Sequence, residues 1–153
     1  MRKYLLPIVV LTWITVTAIP VLASSPSITG EIEGIEICPQ FVCEAAVFNG
    51  TCACEVSNLR TIGFFWVSIQ HDPLPPAFHS SAILAGNWNL TTLIGTFSGT
   101  VVEGSIMNNG NNTFNVTATL HLHKGGIGNV VVTGLLDHTE FPPTFEGKLL
   151  QTE

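Results

Sequence analysis

The chain has 153 residues, of which 46% are hydrophobic and only 10% are charged, against roughly one quarter charged in an ordinary soluble domain. Its 11 acidic and 5 basic residues give a formal net charge of −6. This balance excludes a basic nucleic-acid-binding protein, which would need Lys and Arg to neutralise phosphates. The length suffices for one domain and is too short for two ordinary ones.

The first 23 residues are typical of a secretory signal peptide. Arg2 and Lys3 precede an apolar run, residues 4–18, and Ala23 ends a small-residue cleavage pattern. An uncleaved anchor is the alternative, but prolines and threonines interrupt the run, which is shorter than the roughly 20 apolar residues of a spanning helix. We therefore expect a mature domain, residues 24–153, that is secreted, periplasmic or at the cell surface and has no membrane contact after cleavage.

The mature chain is predicted to be all-β. It has eight or nine segments typical of strands, separated by Gly, Asn and Pro, and no segment with a helical period. Strands about ten residues apart that are joined by short turns favour an antiparallel β-barrel of about eight strands, with a β-sandwich as the alternative. Glycines inside the strand patterns favour closure, since strands bend more easily there. They are Gly95, Gly99, Gly104, Gly134 and Gly147.

Four cysteines fall within 17 residues: Cys38, Cys43, Cys52 and Cys54. An even number in an exported chain indicates two disulfide bonds, with three possible connectivities. A hairpin turn at Asn49-Gly50 places Cys43 diagonal to Cys54, which leaves Cys52 for Cys38. Pairing Cys52 with Cys54 is the least favoured, because residues two apart on a strand are far apart for a disulfide. A four-thiolate zinc site is an alternative, although the usual paired Cys-x2-Cys spacing is absent.

Several aromatic residues surround a Pro-rich segment, residues 70–81, in which prolines exclude strand pairing. A second Pro-rich loop contains residues 141–143. The two loops are predicted either to rim a cavity or to cap the barrel. The candidate residues for binding a small apolar molecule are Phe64, Trp66, Phe78 and Trp88, although core packing explains such side chains equally well.

Residues 113–123 form the clearest strand and carry the sharpest candidate for chemistry. Apolar and polar residues alternate along this segment, as in a half-buried strand. His121 and His123 project from one face of it and can share a metal ion. His138 or Glu103 would supply a third ligand, but both are predicted to lie several residues away along neighbouring strands. The alternative, two histidines on the polar face of the strand, is favoured.

Glycine-rich segments lie on both sides of this strand. Residues 95–99 read Gly-Thr-Phe-Ser-Gly and precede a predicted Asn-Gly turn at 108–111. A second turn is predicted at Lys124-Gly125-Gly126, where residues 125–128 read Gly-Gly-Ile-Gly. In these features residues 95–136 resemble the allene oxide cyclase and dirigent barrel superfamily, in particular its secreted bacterial relatives. The resemblance implies an eight-stranded barrel able to hold an apolar ligand. The chain departs from the motif at Ile127 and Val130, and it matches no catalytic residue of the superfamily.

The sequence therefore predicts a secreted, acidic β-barrel that binds a small apolar ligand or a partner surface, without catalysis and without a cofactor. It contains no nucleophile elbow, phosphate-binding loop or dinucleotide motif. Two alternatives stay open: a metal-dependent enzyme that uses His121 and His123, and a structural component of the cell surface.

Overall fold

The computed structural model describes residues 26–37 and 45–152, so the predicted signal peptide, Cys38 and Cys43 lie outside the described residues. All elements in this part are strands: β1 Ile28–Ile37, β2 Ala45–Val56, β3 Leu59–His71, β4 Ser80–Thr92, β5 Gly95–Asn108, β6 Thr113–Lys124, β7 Gly128–Asp137 and β8 Thr144–Thr152. Each strand pairs antiparallel with the next, and β8 pairs with β1 to close a barrel. The predicted all-β barrel is confirmed. The described residues form no helix long and apolar enough to cross a membrane.

Strand β6 shows why this sequence forms a barrel. Its alternate apolar residues are buried and the residues between them are more exposed, a period that fits a strand with one face on a core. Each fully buried large apolar side chain contributes roughly 1.5–3 kcal/mol. The inward residues of β6 are Phe114, Val116, Ala118, Leu120 and Leu122.

The two ends of the barrel differ in the length of their connections. At the short-turn end the strands are joined by residues 57–58, 93–94 and 125–127. At the loop end the described connections are residues 72–79, 109–112 and 138–143. Since loops on a rigid scaffold commonly carry function, the loop end is one place to look for a site.

The predicted hairpin turn at Asn49-Gly50 is wrong. Both residues lie inside β2, where Gly50 faces Gly34 of β1, and a Cβ atom at Gly50 would overlap the carbonyl oxygen of Glu33. The chain turns instead at Ser57-Asn58, whose φ angles of 49° and 67° suit a tight two-residue hairpin. Gly50 thus serves close approach of two strands rather than a turn.

The other two predicted turns are confirmed. Gly110, between β5 and β6, and Gly125, between β6 and β7, have φ angles of 87° and 90°. Glycine adopts this left-handed region without a steric penalty. At both positions an aromatic ring, that of Phe78 or Phe97, occupies the space that a side chain would need.

The structure pairs Cys52 with Cys54, so the predicted bonds of these residues to Cys38 and Cys43 are wrong. Both sulfur atoms are on the inner face of β2 and are buried. Their Cα atoms are 5.5 Å apart, closer than the roughly 6.7 Å of a fully extended strand and within the usual disulfide range. The pairing also removes two of the thiolates that the zinc alternative requires.

Candidate functional site

The interior of the barrel is filled by side chains. The cavity left among the inner residues that the structure describes is about 20 Å³, roughly enough for one water molecule. Its lining includes Phe48, Phe65 and Phe145. Ligand pockets usually measure about 300–1,000 Å³, so this interior offers no space for an apolar ligand of ordinary size.

The four candidate aromatic residues do not meet at one place. Trp88 is only 2% exposed and lies in the core, where its Nε1 donates a hydrogen bond to the carbonyl oxygen of His121, 3.0 Å away. Phe78 is at the loop end and 80% exposed. Phe64 and Trp66 alternate with the buried Phe65 and face outward from β3 with 74% and 38% exposure. Only this last pair is brought together.

Trp66 stands between two asparagines on the neighbouring strands. Directly opposite it are Asn49 of β2 and Asn89 of β4. Side chains directly opposite on antiparallel strands have Cβ atoms about 4.5–5.5 Å apart, so both amides lie beside the indole. The Oδ1 atom of Asn89 accepts a hydrogen bond of 2.9 Å from Thr91 Oγ1, which fixes the orientation of that amide.

Phe64 has a matching pair of neighbours. It lies opposite Thr51 of β2 and Thr91 of β4, and Ile62 extends the apolar row towards the short-turn end with most of its side chain exposed. The result is a row of apolar side chains on β3 with amide and hydroxyl groups on both sides. We call this surface the aromatic face; it consists of Ile62, Phe64, Trp66, Asn49, Thr51, Asn89 and Thr91.

The aromatic face contains no charged residue. Arg60 and Glu55, paired across 3.9 Å, stand beyond its short-turn edge. A groove along β1, β7 and β8 is lined by Glu31, Glu33, Glu146 and Lys148, and Glu33 lies directly opposite Thr51 of the aromatic face. An acidic surface therefore borders the uncharged face on its β1 side.

The two histidines of the predicted metal site face outward from β6, near the short-turn end. Their ring centroids are 4.8 Å apart. Each ring already has a polar neighbour: His121 Nδ1 is 2.8 Å from Asn129 Oδ1, and His123 Nε2 is 3.0 Å from Thr100 Oγ1. The pair therefore lies on the outer surface, which was the favoured alternative.

Neither predicted third ligand completes a metal site. His138 is at the opposite end of the barrel. Glu103 lies opposite Thr119, where the register of β5 shifts between Val101 and Glu103. Its carboxylate there accepts a hydrogen bond of 3.3 Å from Thr119 Oγ1. Among the described residues no three His, Cys, Asp or Glu side chains are grouped so that they could hold a metal ion.

The loop end holds a buried pair, Glu36 and His138, that the sequence pattern did not predict. The Oε2 atom of Glu36 is 2.7 Å from Nε2 of His138, with 4% and 22% of the two side chains exposed, and the His138 ring packs against Phe114 at 5.0 Å. The pattern of β1 could have indicated that Glu36 is buried, because Glu36 continues the inward positions of Ile28 and Ile32 along this strand. Among the residues that the structure describes, no hydroxyl or thiol is hydrogen-bonded to His138.

The two Pro-rich loops cap this end of the barrel. The backbone N–H of Glu36 donates to the carbonyl oxygen of Pro143 at 2.9 Å, which holds the 138–143 loop in place. In the 72–79 loop, Leu74 packs against the core and the carbonyl oxygen of Pro75 accepts a bond of 2.9 Å from Asn108 Nδ2. The loops close the barrel rather than rim a cavity.

Asp137, where β7 enters the 138–143 loop, has a lowered pKa. The main cause is a hydrogen bond of 2.6 Å from Thr139 Oγ1, followed by one of 2.8 Å from the Thr139 backbone N–H; the charge of His138 acts in the same direction. We expect Thr139→Val to raise the pKa of Asp137 towards 3.8, its ordinary value, in an NMR titration of the side-chain carboxyl carbon. Thr117→Val, which removes an exposed hydroxyl elsewhere, should leave it unchanged.

The lowered pKa of Asp137 determines how the stabilising effect of Thr139 depends on pH. The hydrogen bonds from Thr139 stabilise the folded protein above the unfolded pKa of Asp137, and this contribution disappears as the pH falls through the lowered folded pKa. The difference in melting temperature between the wild type and Thr139→Val should thus be present at pH 7 and shrink as the pH falls through this acid range. A difference that persists at lower pH would contradict this account.

Comparison of the chain with family models, curated proteins and solved structures finds no match. The resemblance of residues 95–136 to the allene oxide cyclase and dirigent superfamily therefore stays a prediction.

Proposed function

We propose that this protein is an exported, non-catalytic binding protein that engages a partner surface through its aromatic face. The observation that carries the proposal is the pair Phe64 and Trp66, which stand exposed side by side in the middle of an uncharged strip. Aromatic side chains are enriched where proteins bind partners. Export is proposed from the signal-peptide pattern of residues 1–23.

The barrel holds the aromatic face rigidly, which favours binding. Strand β3 is hydrogen-bonded to β2 on one side and to β4 on the other, so the backbone under Phe64 and Trp66 is held before a partner arrives. Such preorganisation reduces the entropy that binding must overcome. Because the interior of the barrel is filled, a partner surface fits this molecule better than a small ligand inside it.

The test is binding to a panel of extracellular surfaces. Protein produced from the full-length chain would be sedimented with insoluble neutral polysaccharides, with anionic carboxymethylcellulose beads and with phosphatidylcholine vesicles, while self-association is measured by analytical ultracentrifugation. We expect the wild type to bind at least one of these partners and Phe64→Ala/Trp66→Ala to lose at least nine tenths of that binding.

The matched control is Leu135→Ala/Leu150→Ala. These two side chains are also exposed, but they lie on β7 and β8, away from the aromatic face, so the variant should bind like the wild type. Equal binding by both double variants would show that the aromatic face is not the site. A wild type that binds no member of the panel and does not self-associate would contradict the proposed function.

A further inference from the structure

We infer that the partner of the aromatic face is an uncharged polysaccharide. This inference rests on the proposed function and names the chemistry of its partner. It draws on three properties of the face: the aromatic rings, the polar groups beside them, and the absence of charge.

The aromatic rings supply the stacking surface. The faces of Trp and Phe rings are electron-rich, and a sugar ring presents C–H groups of slight positive charge on its own faces. Phe64 and Trp66 are two residues apart on one strand, which sets them about 7 Å apart along it. Two rings in a row form a platform that matches successive units of a sugar chain better than a single small molecule.

The polar groups beside the rings supply the hydrogen bonds. Sugar hydroxyls both donate and accept, and so do the amide of Asn and the hydroxyl of Thr. Asn49 and Asn89 flank Trp66, while Thr51 and Thr91 flank Phe64. The Oδ1 atom of Asn89 is engaged by Thr91, which leaves its NH2 group available to a ligand oxygen.

The absence of charged side chains on the aromatic face favours an uncharged polymer over a charged one. An anionic polymer would find no Lys or Arg on this face, and it would be repelled by a chain of net charge −6. A cationic polymer would be drawn instead to Glu31, Glu33 and Glu146, which line the acidic groove that borders the face on its β1 side. A second copy of the chain or a bilayer fits less well, because a stable protein interface buries about 800 Å² per partner and this apolar row is a single strand wide.

The test is affinity electrophoresis of bacterially produced protein in gels that contain amylose, galactomannan, hydroxyethylcellulose or carboxymethylcellulose. Bacterial expression ensures that Asn49 and Asn89, which begin Asn-x-Thr triplets, carry no N-linked glycan that could occupy the same face. We expect at least one neutral polymer to retard the wild type, with no retardation by carboxymethylcellulose. Trp66→Ala should weaken binding at least tenfold, Asn89→Ala should weaken it severalfold, and Trp66→Phe should retain a measurable part.

The outcomes separate this inference from the proposed function. If the wild type binds vesicles or itself through the aromatic face but no neutral polysaccharide, the inference is overturned while the proposed function stands. If a neutral polymer retards the wild type and Trp66→Ala equally, the inference fails because the sugar binds elsewhere. Circular dichroism melting of each variant shows that the fold is kept, as expected for exposed positions.

Discussion

Replacing Gly99 with Ala is expected to destabilise the barrel by about 3 kcal/mol, at the upper end of the usual cost of overpacking a core. Gly99 of β5 lies opposite Trp88 of β4. A Cβ atom there would overlap the carbonyl oxygen of His121 and come within 3.0 Å of the Trp88 Nε1 atom. Neither neighbour can move easily, since one belongs to the backbone of β6 and the other to a buried indole. The melting temperature should fall by about 10 °C.

Ser105→Ala is the matched control on the same strand. Ser105 is exposed, so an alanine there adds no atom to the core. This variant should change the free energy of unfolding by less than about 0.5 kcal/mol. Urea unfolding of both variants measures the contrast, and equal midpoints for the two would contradict the assigned role of Gly99.

His138→Ala is expected to cost about 1–3 kcal/mol of stability, the usual effect of leaving a buried polar group without its hydrogen-bond partner. The substitution leaves the carboxylate of Glu36 buried without its partner, because only 4% of that side chain is exposed. It also removes the ring that packs against Phe114. Urea unfolding at neutral pH measures the loss.

Two further variants separate the buried carboxylate from the packing of the ring. Glu36→Gln/His138→Ala should be more stable than His138→Ala alone, since an unpaired amide costs less to bury than an unpaired carboxylate. His123→Ala removes an exposed histidine and should stay within about 0.5 kcal/mol of the wild type. No recovery in the double variant would assign the whole loss to packing against Phe114.

Local patterns predicted those parts of the fold that depend on neighbouring residues in the chain. The alternation in residues 113–123 and the glycines after β5 and β6 were sufficient for one strand and two turns. The turn predicted at Asn49-Gly50 was wrong because the role of Gly50 depends on another strand: a glycine is required where β2 approaches Gly34 of β1. The pairing of Cys52 with Cys54 was missed for a similar reason, since it depends on how far β2 departs from full extension.

Only part of the candidate site, its aromatic residues, could be predicted from the sequence. Phe64, Phe65 and Trp66 are consecutive aromatic residues, so no alternation in the sequence shows which of them faces outward. That Asn49 and Asn89 stand beside Trp66 follows from the register of three strands, and register depends on contacts between distant parts of the chain. Composition therefore singled out the aromatic residues, while only the fold revealed their polar neighbours.

The pairing of the first strand with the last limits when the barrel can close during synthesis. Thr29 pairs with Leu150, so this ladder cannot form until residue 150 has been made, whereas each other ladder joins strands that are consecutive in the chain. Until then β1 has an open edge, which could pair with another unfinished chain. Glu31 and Glu33 point outward from that edge and would face the same charges on a second copy. Repulsion between these carboxylates would oppose the pairing of two open edges until β8 has been made.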